Sequence, residues 1–294
     1  MSKNPEEWPL IWITGAGGLI GNHLAKTAPR HAPVWRVKPL TRAELDLTDF
    51  AAVERLYRED SPALVIHCAA LSKSPACEAN PALARKLNVE VTGFLSALAA
   101  ASGFIHFSTD LVFDGQKGGY TEVDKVNPLS VYAETKVASE EIVLKTPGHA
   151  VIRTSLNGGA SPTGDRGFNE ELRRSWAAGK ATPLFRDEYR SPIAAKVTAE
   201  AVWELAHLKL ANMGISGLYH LAGEERLSRL EIGQEVARRC PELRPKIEET
   251  SLATYNGPRR PPDTSFNCLK LATILSVRLT GLRSWLWKHP EEFF

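Results

Sequence analysis

Cysteine is scarce in this sequence and shows no pattern. The four cysteines are Cys68, Cys77, Cys240 and Cys268, with neither a Cys-x-x-Cys pair nor Cys/His ligand spacing. We interpret them as reduced thiols of a cytoplasmic protein, because a disulfide framework or a zinc site needs paired or closely spaced ligands. No metal site is predicted.

Long apolar runs and an excess of one charge are also lacking. No run approaches the length of a membrane span. The segment from Met1 to Pro9 is polar, without a basic region followed by an apolar one, so no signal peptide is expected. A formal net charge of +2 gives no indication of binding to nucleic acid or to a membrane surface. The 294 residues suffice for a large α/β domain with a sizeable core.

A glycine-rich turn follows the first predicted strand. The apolar run 10–14 is typical of a strand buried on both faces, and Gly15, Gly18 and Gly21 come directly after it. Glycines here would allow a tight turn and close approach to a pyrophosphate, which would sit on the amides of the following helix. The spacing differs slightly from the commonest dinucleotide fingerprint, so a turn without a ligand stays open as the alternative.

The region after the second predicted strand, 34–37, favours NADP over NAD. A site that prefers NAD usually has an acid here, to bind the ribose hydroxyls. The first acidic residue after the turn is Glu44, and the region carries Arg36, Lys38 and Arg42 instead. Arginine suits a 2′-phosphate better than a carboxylate does, and Arg42 is the best placed. A solvated loop arginine is the alternative.

Strands and helices alternate through the first half. Further strands are predicted at 63–70, 104–107 and 149–153. Helices are predicted between them, at 49–58, 81–101 and 129–145. This order predicts a doubly wound parallel sheet. His67 and Cys68 lie in one apolar run, and we interpret them as strand residues rather than as a metal site or a nucleophile.

Tyr132 and Lys136 are spaced to share one face of a helix. A cation beside a phenol favours the phenolate, so we expect Lys136 to lower the pKa of Tyr132. A phenol with a pKa near neutral could exchange a proton with a carbonyl or alcohol oxygen. A hydroxyl from Thr109 or Ser108 could hold the same oxygen. The alternative for such a pair is a solvated helix surface.

These residues resemble a known superfamily. The run 14–21 together with Tyr132 and Lys136 is similar to the extended short-chain dehydrogenases/reductases. The most specific runs resemble the dTDP-4-dehydrorhamnose reductase branch; they lie at 108–115, 120–132, 153–155, 187–193, 217–223 and 260–262. The resemblance spans nearly the whole chain. It implies a Rossmann fold and the NAD(P)H-dependent reduction of a keto group on a nucleotide-activated sugar.

The resemblance also implies roles for individual residues. Thr109 would be the catalytic hydroxyl, Tyr132 the proton donor, and Lys136 its partner on the nicotinamide ribose. The cofactor would contact Gly15, Gly17, Gly18, Leu19, Ile20, Gly21, Arg42, Asp46, Leu47, Cys68, Ala69, Ala70, Ser108, Thr154 and Ser155, besides Tyr132 and Lys136. The substrate would contact Leu111, Phe113, Arg190 and Arg260. Arg190, Arg259 and Arg260 could bind a substrate diphosphate, and surface arginines are the alternative.

The sequence differs from the branch at three places, and these differences bear on which sugar is the substrate. Leu111 stands where an aromatic residue is usual, Ala133 replaces a glycine, and the run 67–70 lacks the usual asparagine. Dehydratases of the superfamily carry Asp-Glu after the catalytic threonine, whereas Asp110 here is followed by Leu111, so water elimination is disfavoured. An epimerase remains an alternative. So does a non-catalytic NADP-binding subunit, since a regulatory subunit of methionine adenosyltransferase resembles the same branch.

The second half of the sequence is predicted to contain a helix at 168–178, a strand at 182–185, a helix at 193–210 and a strand at 217–221. Ser228 is predicted to cap a further helix, with Glu231 completing a capping box.

Two lobes are predicted. Residues 1–156, with 190–222 returning to them, would form the dinucleotide-binding domain. Residues 157–189 and 223–294 would form a smaller α/β lobe that binds the substrate. The aromatic tail 285–294 is expected to dock on that lobe or in an interface, and a homodimer stays open.

Overall fold

Twelve strands and eleven α-helices are present in the computed structural model, which describes residues 5–292 and 294. The strands are β1 (Leu10–Thr14), β2 (Arg36–Leu40), β3 (Leu64–His67), β4 (Gly103–Thr109), β5 (Ala150–Thr154), β6 (Asn157–Gly158), β7 (Thr182–Phe185), β8 (Tyr189–Arg190), β9 (Ile193–Ala194), β10 (Gly217–Leu221), β11 (Leu227–Ser228) and β12 (Ile247–Thr250). The helices are α1 (Leu19–His31), α2 (Phe50–Asp60), α3 (Ser74–Ala79), α4 (Pro81–Arg85), α5 (Val91–Leu98), α6 (Val131–Leu144), α7 (Phe168–Ala177), α8 (Ala195–Leu210), α9 (Arg229–Arg238), α10 (Leu269–Ala272) and α11 (Leu282–Lys288). Parts of the predictions for 1–9 and 285–294 lie outside the described residues.

The main sheet has six parallel strands in the order β2-β1-β3-β4-β5-β10. The chain winds outwards in both directions from β1, which confirms the predicted doubly wound α/β fold. Thr14 pairs with His67, and Thr109 pairs with Thr154, so the carboxyl ends of these strands lie along one edge. In such sheets, ligands bind outside this edge where the strand order reverses, which here is between β1 and β3.

Alternating side chains divide the sheet into two cores. Ile11 and Ile13 belong to the core shared with α1 and α8, while Trp12 belongs to the opposite core with α2 and α5. Successive strand residues face opposite sides, so each strand supplies both cores. The first strand is therefore apolar throughout, as predicted for a sheet covered on both faces.

Two predicted elements differ in detail. The second strand begins at Arg36 rather than at Val34, which is 53% exposed. As an edge strand, β2 tolerates Pro39 and polar side chains. The helix predicted at 81–101 is divided by a π-helical turn, Lys86–Glu90, and ends in a 3₁₀ turn, Ala99–Ala101. The π turn carries the fully buried Asn88, which hydrogen-bonds Leu71 through both its amide oxygen and its amide nitrogen.

The second half follows the predictions closely. The predicted elements at 168–178, 182–185 and 217–221 are α7, β7 and β10. The helix predicted from Ile193 begins at Ala195, because Ile193 pairs with Asn157 in a short parallel ladder. Ser228 caps α9 in the predicted capping box with Glu231.

The aromatic tail is only partly buried. Trp285 and Phe294 belong to the larger core, whereas Trp287 is 80% exposed. The ring of Phe294 covers Gly158, a residue of β6.

Candidate active site

A cavity of about 940 Å³ opens at the carboxyl edge of the main sheet. One side consists of the glycine-rich turn and the ends of β4 and β5, and the other side comes from 166–190, 229 and 260. Sixteen of the residues predicted for the site line it: Gly15, Gly18, Leu19, Ile20, Gly21, Cys68, Ala70, Ser108, Thr109, Leu111, Tyr132, Lys136, Thr154, Ser155, Arg190 and Arg260. The fold thus brings together three separate sequence regions that were predicted to act together.

The glycine-rich turn suits a dinucleotide pyrophosphate. Gly15 has a φ of +71°, and a Cβ there would lie 2.6 Å from the amide nitrogen of Ala69. A Cβ at Gly21 would collide with the carbonyl oxygen of Gly15, so strand and helix approach closely only with glycine. No side chain caps α1 at Gly18 within the described part of the chain. The first amides of α1 are therefore available to a phosphate.

Tyr132 reaches the cavity from the first turn of α6, which begins after the capping residue Ser130. Its side chain is 9% exposed, and burial raises its pKa above the usual value of 10. The neighbouring Thr109 hydroxyl lowers the pKa of Tyr132, but by less than burial raises it. The expectation that the pKa of Tyr132 is lowered is therefore wrong, and the phenol stays protonated at neutral pH.

Lys136 lies one turn further along α6 and also lines the cavity. Its Nζ is 3.1 Å from Nε2 of His106 on β4, and the side chain is only 2% exposed. Burial lowers the pKa of Lys136 to about 8. The ammonium contacts His106, and burial outweighs any effect of the ammonium on the pKa of Tyr132.

A buried ion pair positions Thr109. Asp110 accepts a hydrogen bond from Arg190 at 2.5 Å and one from the Ser155 hydroxyl at 2.6 Å. Its other carboxylate oxygen accepts from the Thr109 hydroxyl at 3.2 Å. Asp110 and Arg190 are both less than 5% exposed. Paired buried charges of this kind fix geometry, because breaking the pair would leave a charge uncompensated.

Three arginines surround one buried carboxylate at the far wall. Glu188 is fully buried and contacts Arg260 at 2.6 Å, Arg229 at 3.1 Å and Arg190 at 3.6 Å. Burial opposes its ionisation, but the arginines hold its pKa at about 2. The cluster therefore carries more positive than negative charge at neutral pH, and all three arginines line the cavity. Arg259 is exposed and does not line it.

Six predicted contacts do not line the cavity: Gly17, Arg42, Asp46, Leu47, Ala69 and Phe113. Gly17 and Ala69 belong to, or lie against, the glycine-rich turn. Arg42 is 87% exposed and 3.7 Å from Asp46, in the loop after β2.

The prediction that Phe113 contacts the substrate requires a correction. Phe113 is fully buried and stacks on Tyr120 at 4.0 Å, so it belongs to the core rather than to a substrate contact.

Several lining residues were not predicted. They are Leu71, Ser72, Lys73, Ser74, Pro75, Ala76, Phe107, Asp110, Leu156, Asn157, Arg166, Gly167, Phe168, Glu171, Pro183, Leu184, Phe185 and Arg229. Six of them lie in loops, and most of the others lie on α3, α7 and β7; which of these side chains face the cavity depends on tertiary contacts. The position of Asp110 directly after Thr109 is one usable signal, since a carboxylate directly after a strand end lies at the same edge of the sheet as the neighbouring strand ends.

Burial also decides the state of Cys68. Its pKa is raised by desolvation, which opposes the thiolate form that a nucleophile needs. Among the described residues, no cluster of His, Cys, Asp and Glu could hold a metal ion. No helix in the same residues is long and apolar enough to cross a membrane.

Comparisons with known proteins match nearly the whole chain. The family described as RmlD substrate binding domain matches residues 10–290. The dTDP-4-dehydrorhamnose reductase of Mycobacterium tuberculosis is 35% identical over 284 residues, covering 93% of this chain and 88% of that protein. Methionine adenosyltransferase 2 subunit beta of Xenopus laevis is 31% identical, covering 94% and 86%. A dTDP-4-dehydrorhamnose reductase structure from Bacillus anthracis, in complex with NADP, has a TM-score of 0.82 at 22% identity, covering 93% and 95%, which is evidence of the fold.

Proposed function

The chain belongs to the RmlD substrate-binding-domain family, and on this premise we propose that it reduces a keto group on a nucleotide-activated sugar with NADPH. It is an NAD(P)-dependent oxidoreductase of the short-chain dehydrogenase/reductase type. The observation that carries the proposal is the meeting of Thr109, Tyr132 and Lys136 with the glycine-rich turn in one cavity.

The proposed cofactor site extends from the glycine-rich turn to Lys136. The close approach of Gly15 to Ala69 and the uncapped start of α1 support a pyrophosphate there. The hydroxyl of Ser108 is buried without a hydrogen-bond partner among the described residues and lines the same cavity. A bound ligand would give it a partner, since buried polar groups are seldom left unpaired. When bound, the reduced nicotinamide supplies a hydride.

The proposed proton step uses Tyr132 as the acid. Its raised pKa keeps the phenol protonated at neutral pH, so it can donate to the oxygen of a carbonyl that is being reduced. The Thr109 hydroxyl would hold that oxygen in place by turning its single proton from Asp110 to the carbonyl oxygen. Lys136 would bind the nicotinamide ribose through its ammonium group. The reduction thus needs no second carboxylate beside Thr109.

The far wall of the cavity would bind the substrate. Arg190 and Arg260 are proposed to meet the diphosphate, supported by the excess positive charge around Glu188. The proposed substrate lobe consists of 157–189 and 223–294, and the proposed cofactor domain consists of 1–156 with 190–222. Arg260 therefore belongs to the substrate lobe and Arg190 to the cofactor domain.

All four cysteines are free thiols, which supports a cytoplasmic location.

Arg42 is proposed to bind the 2′-phosphate of NADP. Its loop adjoins the glycine-rich turn, since the amide of Ala16 donates to the carbonyl of Leu40 at 3.2 Å. We expect Arg42→Ser to weaken NADPH binding about tenfold, because one charge-assisted hydrogen bond is lost, and to leave NADH binding unchanged. Titration of cofactor fluorescence measures both. Arg58→Ser is the control, because Arg58 is similarly exposed (76%) but lies at the end of α2. An equal loss for both cofactors would contradict the assignment.

Two alternatives make different predictions. A dehydratase needs a second acid or base after Asp110, but Leu111 is apolar and packs with Cys77 and Tyr132. A regulatory role draws support from the similarity to methionine adenosyltransferase 2 subunit beta. That role predicts dinucleotide binding without turnover, and recovery of a stoichiometric partner enzyme.

The proposal is tested by fluorescence binding of NADPH and NADH, followed by a panel of nucleotide-linked 4-keto sugars in the same cuvette. Binding with cofactor oxidation on one sugar supports the reductase. Tight binding without oxidation on any member favours the regulatory alternative. Absence of binding for both dinucleotides would contradict the cofactor assignment itself.

A further inference from the structure

The amino group of Lys136 contacts a buried histidine that the proposed reaction does not use. Nε2 of His106 lies 3.1 Å from Nζ of Lys136, and His106 is fully buried. His106 precedes Ser108 by two residues on β4, so both side chains point to the same face of the sheet. The histidine therefore contacts Lys136 from the protein interior, on the face of the sheet that also carries Ser108.

Titratable groups on β3, directly after it and on α6 face this pair. His67 on β3 stacks on His106 with ring centroids 5.3 Å apart, and Cys68 follows it. Glu140 lies one turn beyond Lys136 on α6 and favours its charged form. His67 is bound on both ring nitrogens, by Thr14 at 2.7 Å and by Thr92 at 3.0 Å. His106 is thus the histidine whose ring nitrogen contacts the ammonium.

The tautomer of His106 is coupled to the charge of Lys136. Burial and the neighbouring ammonium keep the pKa of His106 well below 6.5, so the ring is neutral. Its Nε2 has two neighbours, Lys136 and the hydroxyl of Ser139 at 3.0 Å. The Ser139 hydroxyl donates to the carbonyl of Lys136 at 2.8 Å, so its oxygen needs a donor. An ammonium needs an acceptor, and one nitrogen cannot serve both.

The other ring nitrogen of His106 does not determine which nitrogen carries the proton. Nδ1 of His106 has no hydrogen-bond partner in the described part of the chain. No second contact therefore fixes the tautomer. While Lys136 is charged, Nε2 accepts from it and Nδ1 carries the proton. When Lys136 releases its proton to solvent, its neutral amine can accept a hydrogen bond; the ring can then lose its Nδ1 proton to solvent and take one up at Nε2, which donates to the amine or to Ser139.

We propose that His106 is a positioning residue that holds the Lys136 ammonium as a hydrogen-bond acceptor and so keeps it charged and aimed at the cofactor ribose. The statement that Lys136 is aimed at the cofactor ribose rests on the proposed function. The statement that His106 keeps Lys136 charged does not, and it applies to the protein without cofactor. A hydrogen bond to a charged group is among the stronger ones, so its loss should have a measurable effect.

The variants are His106→Leu, which removes the acceptor, and His106→Gln, which retains one. His149→Leu is the matched control, because His149 is 2% exposed and bonds Ser96 and Ala99 rather than Lys136. The readout is the titration of the Lys136 Nζ in cofactor-free protein by ¹⁵N NMR, assigned with Lys136→Met. We expect His106→Leu to lower the titration midpoint by about one pH unit, since the charged form loses its acceptor. His106→Gln should recover most of the shift, and His149→Leu should leave it unchanged.

A second readout is independent of whether a variant folds. In the wild-type protein, the ¹⁵N shift of Nε2 of His106 should change from the acceptor to the protonated value as Lys136 deprotonates near its pKa of about 8. An unchanged tautomer across that range, or an unchanged Lys136 midpoint in His106→Leu, would overturn the proposal. Neither measurement needs a substrate. A shifted midpoint in a protein that reduces no sugar would retain this inference while rejecting the proposed function.

Discussion

Replacing Tyr132 by phenylalanine is expected to lower turnover by roughly 10²–10⁴-fold, the range for loss of a general acid. The change removes one hydroxyl and keeps the ring, so packing against Cys77 and Ala84 should persist. Cofactor affinity should change little, since Tyr132 acts on the reacting oxygen. Steady-state kinetics together with fluorescence titration of NADPH separate the two effects. The alkaline side of the pH profile should not reflect Tyr132, because burial raises its pKa.

Tyr57→Phe is the control for this substitution. Tyr57 also makes one hydroxyl contact, to Ser102 at 2.8 Å, but it lies on α2 and does not line the cavity. We expect its turnover to match the wild type. Full activity in Tyr132→Phe would remove the basis of the proposed proton step.

Glu140→Gln is expected to lower the free energy of unfolding by about 3–5 kcal/mol. Glu140 and Arg153 form a bidentate pair, with N–O distances of 2.9 and 2.6 Å, and both are less than 5% exposed. The substitution removes the negative charge but leaves the Arg153 guanidinium buried on β5, beside the ring of Phe113. Urea unfolding monitored by circular dichroism measures the difference.

Two further variants distinguish the pair from general surface effects. Glu54→Gln breaks an exposed pair with Arg58 on α2, and its expected cost is only about 0.3–0.5 kcal/mol. The double variant Glu140→Met with Arg153→Met removes both charges and should recover most of the lost stability. Equal unfolding midpoints for Glu140→Gln and the wild type would show that the buried pair does not contribute as argued.

Much of the fold could be predicted because its signals are local. The strand 10–14, its glycine turn and the capping box from Ser228 to Glu231 are each encoded within a few residues. The spacing of Tyr132 and Lys136 likewise needs only the helical repeat. Such features depend little on the rest of the chain.

The electrostatic state of the site could not be predicted in the same way. The sequence places Lys136 beside Tyr132, but its amino group contacts His106, which lies 30 residues away in the chain. Burial, which depends on the whole fold, then outweighs the expected effect on the phenol. The correction for Phe113 has the same origin, since its stacking on Tyr120 exists only after the intervening loop folds back.

The arginine cluster could not be predicted from the sequence for a further reason. Glu188, Arg229 and Arg260 meet only after three segments of the second half come together. Each arginine alone is more often a surface residue, so spacing gives no signal. The central carboxylate, Glu188, was therefore missed, although it contacts all three arginines of the cluster.

The most direct test of the account is transfer of deuterium from deuterated NADPH to a nucleotide-linked 4-keto sugar, followed by mass spectrometry. The account predicts one deuterium in each reduced sugar, with one NADPH oxidised for each product, and loss of both signals in Tyr132→Phe. A product formed without net cofactor oxidation would contradict it and indicate an epimerase or dehydratase. Cofactor binding with no labelled product from any sugar would contradict it in favour of a regulatory subunit.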